Sequence, residues 1–317
     1  MSTPKQMKAK WPDFYPKMKA VCSKCSEKTV YVYLRNTSRL RKLNHETEDI
    51  PKSSAWLFED ALFKKYDKLE LSQRRLLSLA AVKSLQAYKK TSDKWNKRLA
   101  KASEEYDEKR SKRERTPSEK EKWIDKGYDA LKKAAKQMKS EIKHDLAAKT
   151  KTLKNLWNIQ KWVVLVLYSS HALRLDFADV VLSKPTDEKK NFLHKYRRKG
   201  WVLTLRDYKT AKFRGEQEIK MSRAASLVLS RFVPLVKALT THGKLLTSQT
   251  GSALNRNGLS KLLTRLTQKL LGKRGFSASL IRVFKATKHR DQIEATKKLQ
   301  DEMGHSAKQQ FEYSRVK

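Results

Sequence analysis

Apolar residues recur along much of this chain at intervals of three and four, the spacing that gathers them on one side of a helix. After Ser26, the residues Val30, Leu34, Leu40 and Leu43 follow that rhythm. Pro51 and Ser53-Ser54 mark a turn, beyond which Trp56, Leu57, Phe58, Leu62 and Phe63 predict a second short helix. Ser72 is placed to cap a third, on which Leu77, Ala81, Leu85 and Tyr88 share one face. From Lys89 to Arg115 the apolar stripe is lost, which predicts a solvated helix or a linker running up to Pro117. Ser118 with Glu121 has the form of a capping box leading toward Trp123, and the lysine-rich stretch 130–150 reads as a helix facing mostly solvent.

The rhythm changes at Leu153. The segment LKNLWNIQKWVVLVLY is apolar nearly all round in its second half, as expected of a helix or strand buried on all sides. A further apolar stretch runs from Phe177 to Leu182. Trp201 to Leu205 then alternates as a strand does, Gln217 to Met221 returns beside it, and the tip between them carries Lys209, Lys212 and Arg214. Helices resume over 224–239, where Pro234 predicts a kink, and again along Leu259, Leu262, Leu263, Leu266 and Leu270 after a break at Asn257-Gly258. The expected fold is mainly α with a small β-sheet or hairpin. It has two domains, a helical one over 1–117 and an α+β one over 118–317.

Charge narrows the choice of partner. Lys and Arg number 73 against 33 Asp and Glu in 317 residues, a net +40 at pH 7. That is more than solubility requires and favours a polyanion. The basic residues are spread along the whole chain, which favours nucleic acid over an anionic membrane surface. Candidate phosphate contacts are Arg35, Arg39, Arg41, Lys42, Arg74 and Arg75 in the first domain, with Lys212 and Arg214 on the hairpin. The longest apolar run, Trp162 to Tyr168, is too short to span a bilayer, and the N-terminal stretch lacks the apolar segment of a signal peptide. Cys22 and Cys25 are the only cysteines; without a second pair they read as two ordinary thiols in a reducing, intracellular compartment. No Gly-rich phosphate loop and no carboxylate cluster is present, so neither a nucleotide cofactor nor a metal is expected.

Candidate chemistry lies in an ordered set of side chains. Arg174 directly follows the buried segment, and Lys209 stands on the hairpin. Arg282 sits on an apolar helical pattern, Gly304-His305-Ser306 has the form of a helix junction, and Tyr313 comes eight residues after His305. Taken singly, an arginine at a core edge pairs with a carboxylate and a basic hairpin tip touches phosphates. Taken in order, they meet the needs of metal-free transfer at a phosphodiester. Two arginines and a histidine can neutralise charge developing on five-coordinate phosphorus. A tyrosine can attack it and store the bond as an ester, and a lysine can protonate the leaving oxygen.

This set resembles the catalytic domain of the tyrosine recombinases, or phage-type integrases. The stretches SHALRLDFADV, RDYKTAKFRGEQEI, SASLIRVFKATK and DEMGHSAKQQFEYS are similar to the divergent integrases of virophages, polinton-like elements and large DNA viruses. TSRLRKLN, the Trp56 segment and LSQRRLLSLAAV resemble that group's helical core-binding domain. The resemblance implies that Arg174, Arg282 and His305 would hold the scissile phosphate. Lys209 would protonate the leaving 5′ hydroxyl, and Tyr313 would form a 3′-phosphotyrosine, with no metal and no ATP. The family usually has a histidine or lysine where this chain has Ser279, and one more residue between the histidine and the tyrosine. Lys285 and His289, one and two turns past Arg282, are the candidates for taking the tyrosine proton. The implied partner is double-stranded DNA, bound by a monomer that assembles into synaptic dimers or tetramers, in a nucleus or a viral replication compartment if the element is viral. A catalytically inactive DNA-binding relative, a type IB topoisomerase and a telomere resolvase are the alternatives.

Overall fold

The computed structural model describes residues 9–187, 189–272 and 275–303. The chain divides into two compact units between Glu114 and Arg115, just ahead of Pro117. The first is built from α1 (Phe14–Val21), α2 (Glu27–His45), a 3₁₀ turn (Ala55–Phe58), α3 (Asp60–Asp67), α4 (Leu71–Ala87) and α5 (Asp93–Ser111). Ser26 Oγ accepts the Thr29 N–H (3.3 Å) to start α2, which buries Val30, Leu34 and Leu40. Glu70 rather than Ser72 precedes α4, whose Leu77, Ala81 and Leu85 face the core as their spacing predicts.

The charge-dense stretch after Lys89 is the largely solvated helix of the two expected alternatives. It forms α5, and Trp95 anchors that helix in the core. The indole is fully buried, donates to the Leu57 carbonyl (2.7 Å), and meets the rings of Phe63 and Tyr66 at 5.0 and 5.1 Å. Arg98 grips Asp67 through two hydrogen bonds (3.2 and 2.9 Å) while lying over Phe63. Trp95 and Ala102 are the buried residues of α5, too few to produce a periodic stripe. One large aromatic supplies the burial that a row of leucines would otherwise provide.

Cys22 and Cys25 also differ from expectation: they are joined as a disulfide, not left as thiols. The turn that ends α1 brings their Cα atoms to 5.2 Å, and the Cys25 N–H donates to the Cys22 carbonyl (2.9 Å).

The second unit opens with α6 (Pro117–Lys122), capped by a Thr116–Glu119 capping box rather than by Ser118 and Glu121. Then come α7 (Gly127–Glu141), α8 (Lys143–Ala147) and α9 (Leu153–Ser170). α7 is more than a solvated helix, since Tyr128, Leu131, Ala134, Ala135 and Met138 are buried along it. The all-round apolar segment is α9, a helix packed against α7, against α11 (Arg223–Leu239, containing Pro234) and against α12 (Arg256–Leu271). Neighbours on several sides explain its lack of a polar face. Asn255 Oδ1 accepts the Gly258 N–H (2.8 Å), so Asn257 and Gly258 lie in the first turn of α12 instead of marking a break.

A three-stranded antiparallel sheet, order β1-β2-β3, crosses this unit: β1 (Phe192–Tyr196), β2 (Gly200–Leu205) and β3 (Gln217–Lys220). β2 and β3 pair as the alternation predicts, Leu205 opposite Gln217 and Val202 opposite Lys220. β1 buries the adjacent Phe192 and Leu193 rather than alternate residues, which hides it from a period-two reading. The hairpin tip is wound into a single helical turn, α10 (Ala211–Arg214). The described chain ends in α13 (Ala278–Lys288) and α14 (Arg290–Met303). Among the described residues no helix is long and apolar enough to cross a membrane.

Candidate functional site

Arg174 lies in the irregular stretch that leaves α9, and buried polar contacts fix its backbone. The Tyr168 hydroxyl donates to the Arg174 carbonyl (2.7 Å) from a fully buried ring packed edge-on against Phe177 (5.4 Å). Burial, reinforced by the nearby Asp176, pushes that phenol far above its ordinary range, so it stays a donor. Three residues before Arg174, His171 Nε2 accepts the Ser222 backbone N–H (3.0 Å). Its proton is thereby assigned to Nδ1. Burial, and then the charge of Lys285, hold the imidazole below its usual range.

Arg282 is carried on α13, which is seated by close packing. Phe284 touches Phe276 and Trp123 (centroids 4.8 and 4.9 Å), and a Cβ at Gly127 would come within 2.7 Å of the Phe284 ring. Before the helix, a Cβ at Gly275 would fall 1.7 Å from the Thr264 carbonyl oxygen, and the Phe276 N–H donates to the buried Thr267 hydroxyl (2.6 Å). Ser277 caps α13 through the Leu280 N–H (3.1 Å), and Lys288 pairs with Asp129 of α7. Ser279 and Arg282 are both exposed, one turn apart. Lys285 is half-buried, 5.9 Å from the Tyr128 ring centre, and its charge is felt at His171. His289 ends the helix and shares a hydrogen bond with Gln292 (2.8 Å).

Arg174 and Arg282, remote in sequence, lie near enough for their charges to act on each other and on Asp176, which is 5% exposed. Partial burial, then the charge of Arg174, lower the affinity of Arg282 for its proton, with Asp176 opposing both. Burial raises the Asp176 carboxyl above the usual carboxylate range, opposed by the charges of Arg256, Arg174 and Arg282 and by the Arg174 backbone N–H. One buried carboxylate thus offsets part of the repulsion between Arg174 and Arg282.

Arg256 is the member that periodicity did not single out. It stands at the start of α12, where its Nη2 donates to the Asp207 carbonyl (3.2 Å) and lies 3.7 Å from the Asp207 carboxylate, with Asp179 at 4.0 Å from its Nε. Asp207 is the root of the Lys209 hairpin, so Arg256 ties that hairpin to the arginine cluster. Buried Asn191 completes the clamp: its Oδ1 accepts the N–H groups of Arg206 and Asp207 (2.9 Å each), and its Nδ2 donates to the Asp207 carbonyl (2.9 Å). Arg256 directly follows Asn255, the residue that caps α12. Lys209, Lys212 and Arg214 are exposed on the tip. Gly304, His305, Ser306 and Tyr313 lie outside the described residues.

In the first unit, Lys28, Arg35, Arg39 and Lys42 form an exposed stripe along α2, spanning about 21 Å at helical rise. Arg41 is half-buried over Trp56 (5.4 Å), Arg74 pairs with Glu105 (3.1 Å), and Arg75 stacks on Tyr106 (4.7 Å). Each of these three candidate phosphate contacts sits beside an aromatic ring or a carboxylate of the protein, while Arg41 Nε and Nη1, Arg74 Nε and Arg75 Nε are buried without a hydrogen-bond partner. Among the described residues, no group of three or more His, Cys, Asp or Glu is arranged to hold a metal ion. Compared with known proteins, the chain matches no protein-family model and no curated relative.

Proposed function

We propose that this chain is a site-specific DNA recombinase of the tyrosine recombinase type, cleaving and rejoining duplex DNA through a 3′-phosphotyrosine. The observation that supports this best is that Arg174, Arg282 and Arg256 all act electrostatically on the buried Asp176, while Arg256 also holds the root of the Lys209 hairpin. Two guanidinium groups whose mutual repulsion is only partly compensated form a seat for an anion, and a phosphodiester presents two nonbridging oxygens to such a pair. The excess positive charge, and separately the exposed basic stripe on α2 of the first unit, fit a protein that contacts a DNA backbone.

In this reading, Arg174 and Arg282 bind the nonbridging oxygens, with His305 adding a hydrogen bond as charge develops. Tyr313 attacks phosphorus, the bond to the 5′ oxygen breaks, and Lys209 delivers the proton that oxygen needs. A 5′ hydroxyl then attacks the phosphotyrosine and returns the proton, so the number of phosphodiester bonds is conserved. Ser279 has no basic nitrogen. Lys285 and His289 are the candidates near it, Lys288 being paired with Asp129, and of the two the charge of Lys285 is felt at His171.

A duplex nicked next to the scissile phosphate, which loses its short leaving fragment, tests the reading. An active enzyme accumulates a covalent protein–DNA adduct that is absent in Tyr313→Phe. Tight DNA binding with no adduct on any duplex would instead identify a DNA-binding relative that has lost strand cleavage.

A further inference from the structure

At the apex of the basic hairpin stands a side chain that the proposed chemistry does not use. Phe213 is 89% exposed, the highest value among the exposed large apolar residues described, with Leu227 next at 63%. Single exposed hydrophobes are ordinary on protein surfaces. This one differs in its setting. It sits on α10 between Lys212 and Arg214, with Lys209 in the same tip, and all three cations are exposed.

The tip that carries it is closed by hydrogen bonds. The Tyr208 hydroxyl donates to the Gly215 carbonyl (2.7 Å), the Phe213 N–H to Thr210 (3.0 Å) and the Gly215 N–H to Ala211 (2.8 Å). Arg206 pairs with Glu216 at the base, and Asn191 clamps the root. Phe213 is therefore held out by an ordered turn, and an aromatic ring has few rotamers to lose when it is covered.

We propose that Phe213 stacks on a nucleobase of the bound DNA while the flanking cations contact phosphates on either side. A flat apolar ring ringed by positive charge matches the alternation of base faces and phosphates along a nucleic acid. It does not match an apolar protein groove, which would have to desolvate three cations to reach the ring. The base is either one of a stacked pair that the ring wedges apart, as apolar side chains do when they kink a duplex, or one already unpaired. This inference rests on the reading that the chain binds DNA.

Binding titrations on three probes, a short intact duplex, the same duplex with a one-nucleotide bulge, and a single strand, test it at several salt concentrations. Phe213→Ala should bind at least one probe about 5- to 150-fold more weakly, the cost of removing one base–aromatic stack, with the slope of log K against log salt unchanged. Phe213→Trp should restore the affinity and Phe213→Leu should not. Weakening on the intact duplex identifies a wedge, and weakening confined to the bulge or single strand identifies capture of an unpaired base. Wild-type affinity of Phe213→Ala on all three probes, or full affinity of Phe213→Leu, overturns stacking while leaving DNA binding intact. Wild-type protein that binds no probe overturns DNA binding itself, and stacking with it. A change in sedimentation without DNA, at unaltered DNA affinity, would overturn stacking by assigning Phe213 to contact with a second copy. Because the side chain is exposed, all variants should unfold at the wild-type temperature.

Discussion

Arg256 donates from Nη2 to the carbonyl of Asp207 at 3.2 Å, joining the first turn of α12 to the root of the hairpin that carries Lys209. The same guanidinium is one of three whose charge bears on Asp176. It thus couples the position of the proposed general acid to the proposed phosphate seat. Arg256→Ala should speed amide hydrogen exchange across 207–216, and should slow single-turnover adduct formation by about 10-fold or more while DNA affinity falls less. Arg256→Lys keeps the charge but loses the planar fork and should recover only part of the rate. Equal reductions in affinity and rate would make Arg256 a simple phosphate contact.

Asn191 fills three backbone hydrogen-bonding positions at Arg206 and Asp207 from a buried site. Asn191→Ala leaves two N–H groups short of an acceptor and should destabilise the second unit by about 2–4 kcal/mol, measured by urea unfolding at unchanged m. Asn191→Asp retains the acceptor but loses the donor and buries a charge, so it should be destabilised more at pH 8 than at pH 5.

Gly127 and Phe284 are in closer contact than any other residue at Gly127 would allow. Alanine normally favours a helix over glycine by about 0.8–1 kcal/mol. Here the added methyl meets the Phe284 ring at 2.7 Å, and overpacking of this kind costs about 1–3 kcal/mol, so Gly127→Ala should destabilise. Phe284→Leu removes the clash, and the double variant should be more stable than the sum of the singles predicts. Additive effects would show that α7 and α13 are not fastened at this point.

The elements that a helical or two-residue period can reveal were legible in the sequence: α2, α4, α12 and the β2–β3 hairpin all follow from their apolar spacing. The docking of α5 into the core was not, because its burial is concentrated in Trp95. β1 was not, because Phe192 and Leu193 are adjacent and the rest of the strand is polar or exposed. At the candidate site, Arg174, Lys209 and Arg282 stood out through their order in the chain. Arg256 and Asp176 did not, since an arginine at a helix start and an aspartate beside an arginine are common features whose meaning depends on the tertiary contacts joining them. The cations at Arg41, Arg74 and Arg75 show the same point in reverse: composition marked them as phosphate contacts, and packing sets each beside an aromatic ring or a carboxylate of the protein.

The exposed cations on α2 make a test that is independent of catalysis. If Arg35 and Arg39 each neutralise a phosphate, the double alanine variant should reduce the slope of log K against log salt by about 1.8, at about 0.9 for each phosphate no longer neutralised. Arg74→Ala should leave the slope almost unchanged and instead lower stability, since its partner Glu105 is internal. A fall in slope for Arg74→Ala, with none for the α2 pair, would place the DNA on another face of the unit.

His171 supplies the last prediction, through the sign of its proton linkage. Burial and the charge of Lys285 hold its folded-state pKa below the ordinary value of 6.5, while the unfolded chain keeps that ordinary value. As pH falls below about 6.5 the unfolded state takes up the proton first, so stability declines with falling pH until the folded imidazole also protonates. Above that window the group contributes no pH dependence. Protonation removes the lone pair on Nε2 that accepts the Ser222 N–H, so the loop carrying Arg174 should loosen over the same range. His194 and His242 are shifted the same way by burial and add to the slope, and the raised Asp176 acts in the opposite sense above its ordinary value of 3.8. His171→Gln, whose side-chain oxygen can accept the same N–H, should flatten the dependence of Tm on pH below about 6.5. An unchanged slope in that variant would show that His171 is not held neutral by its burial.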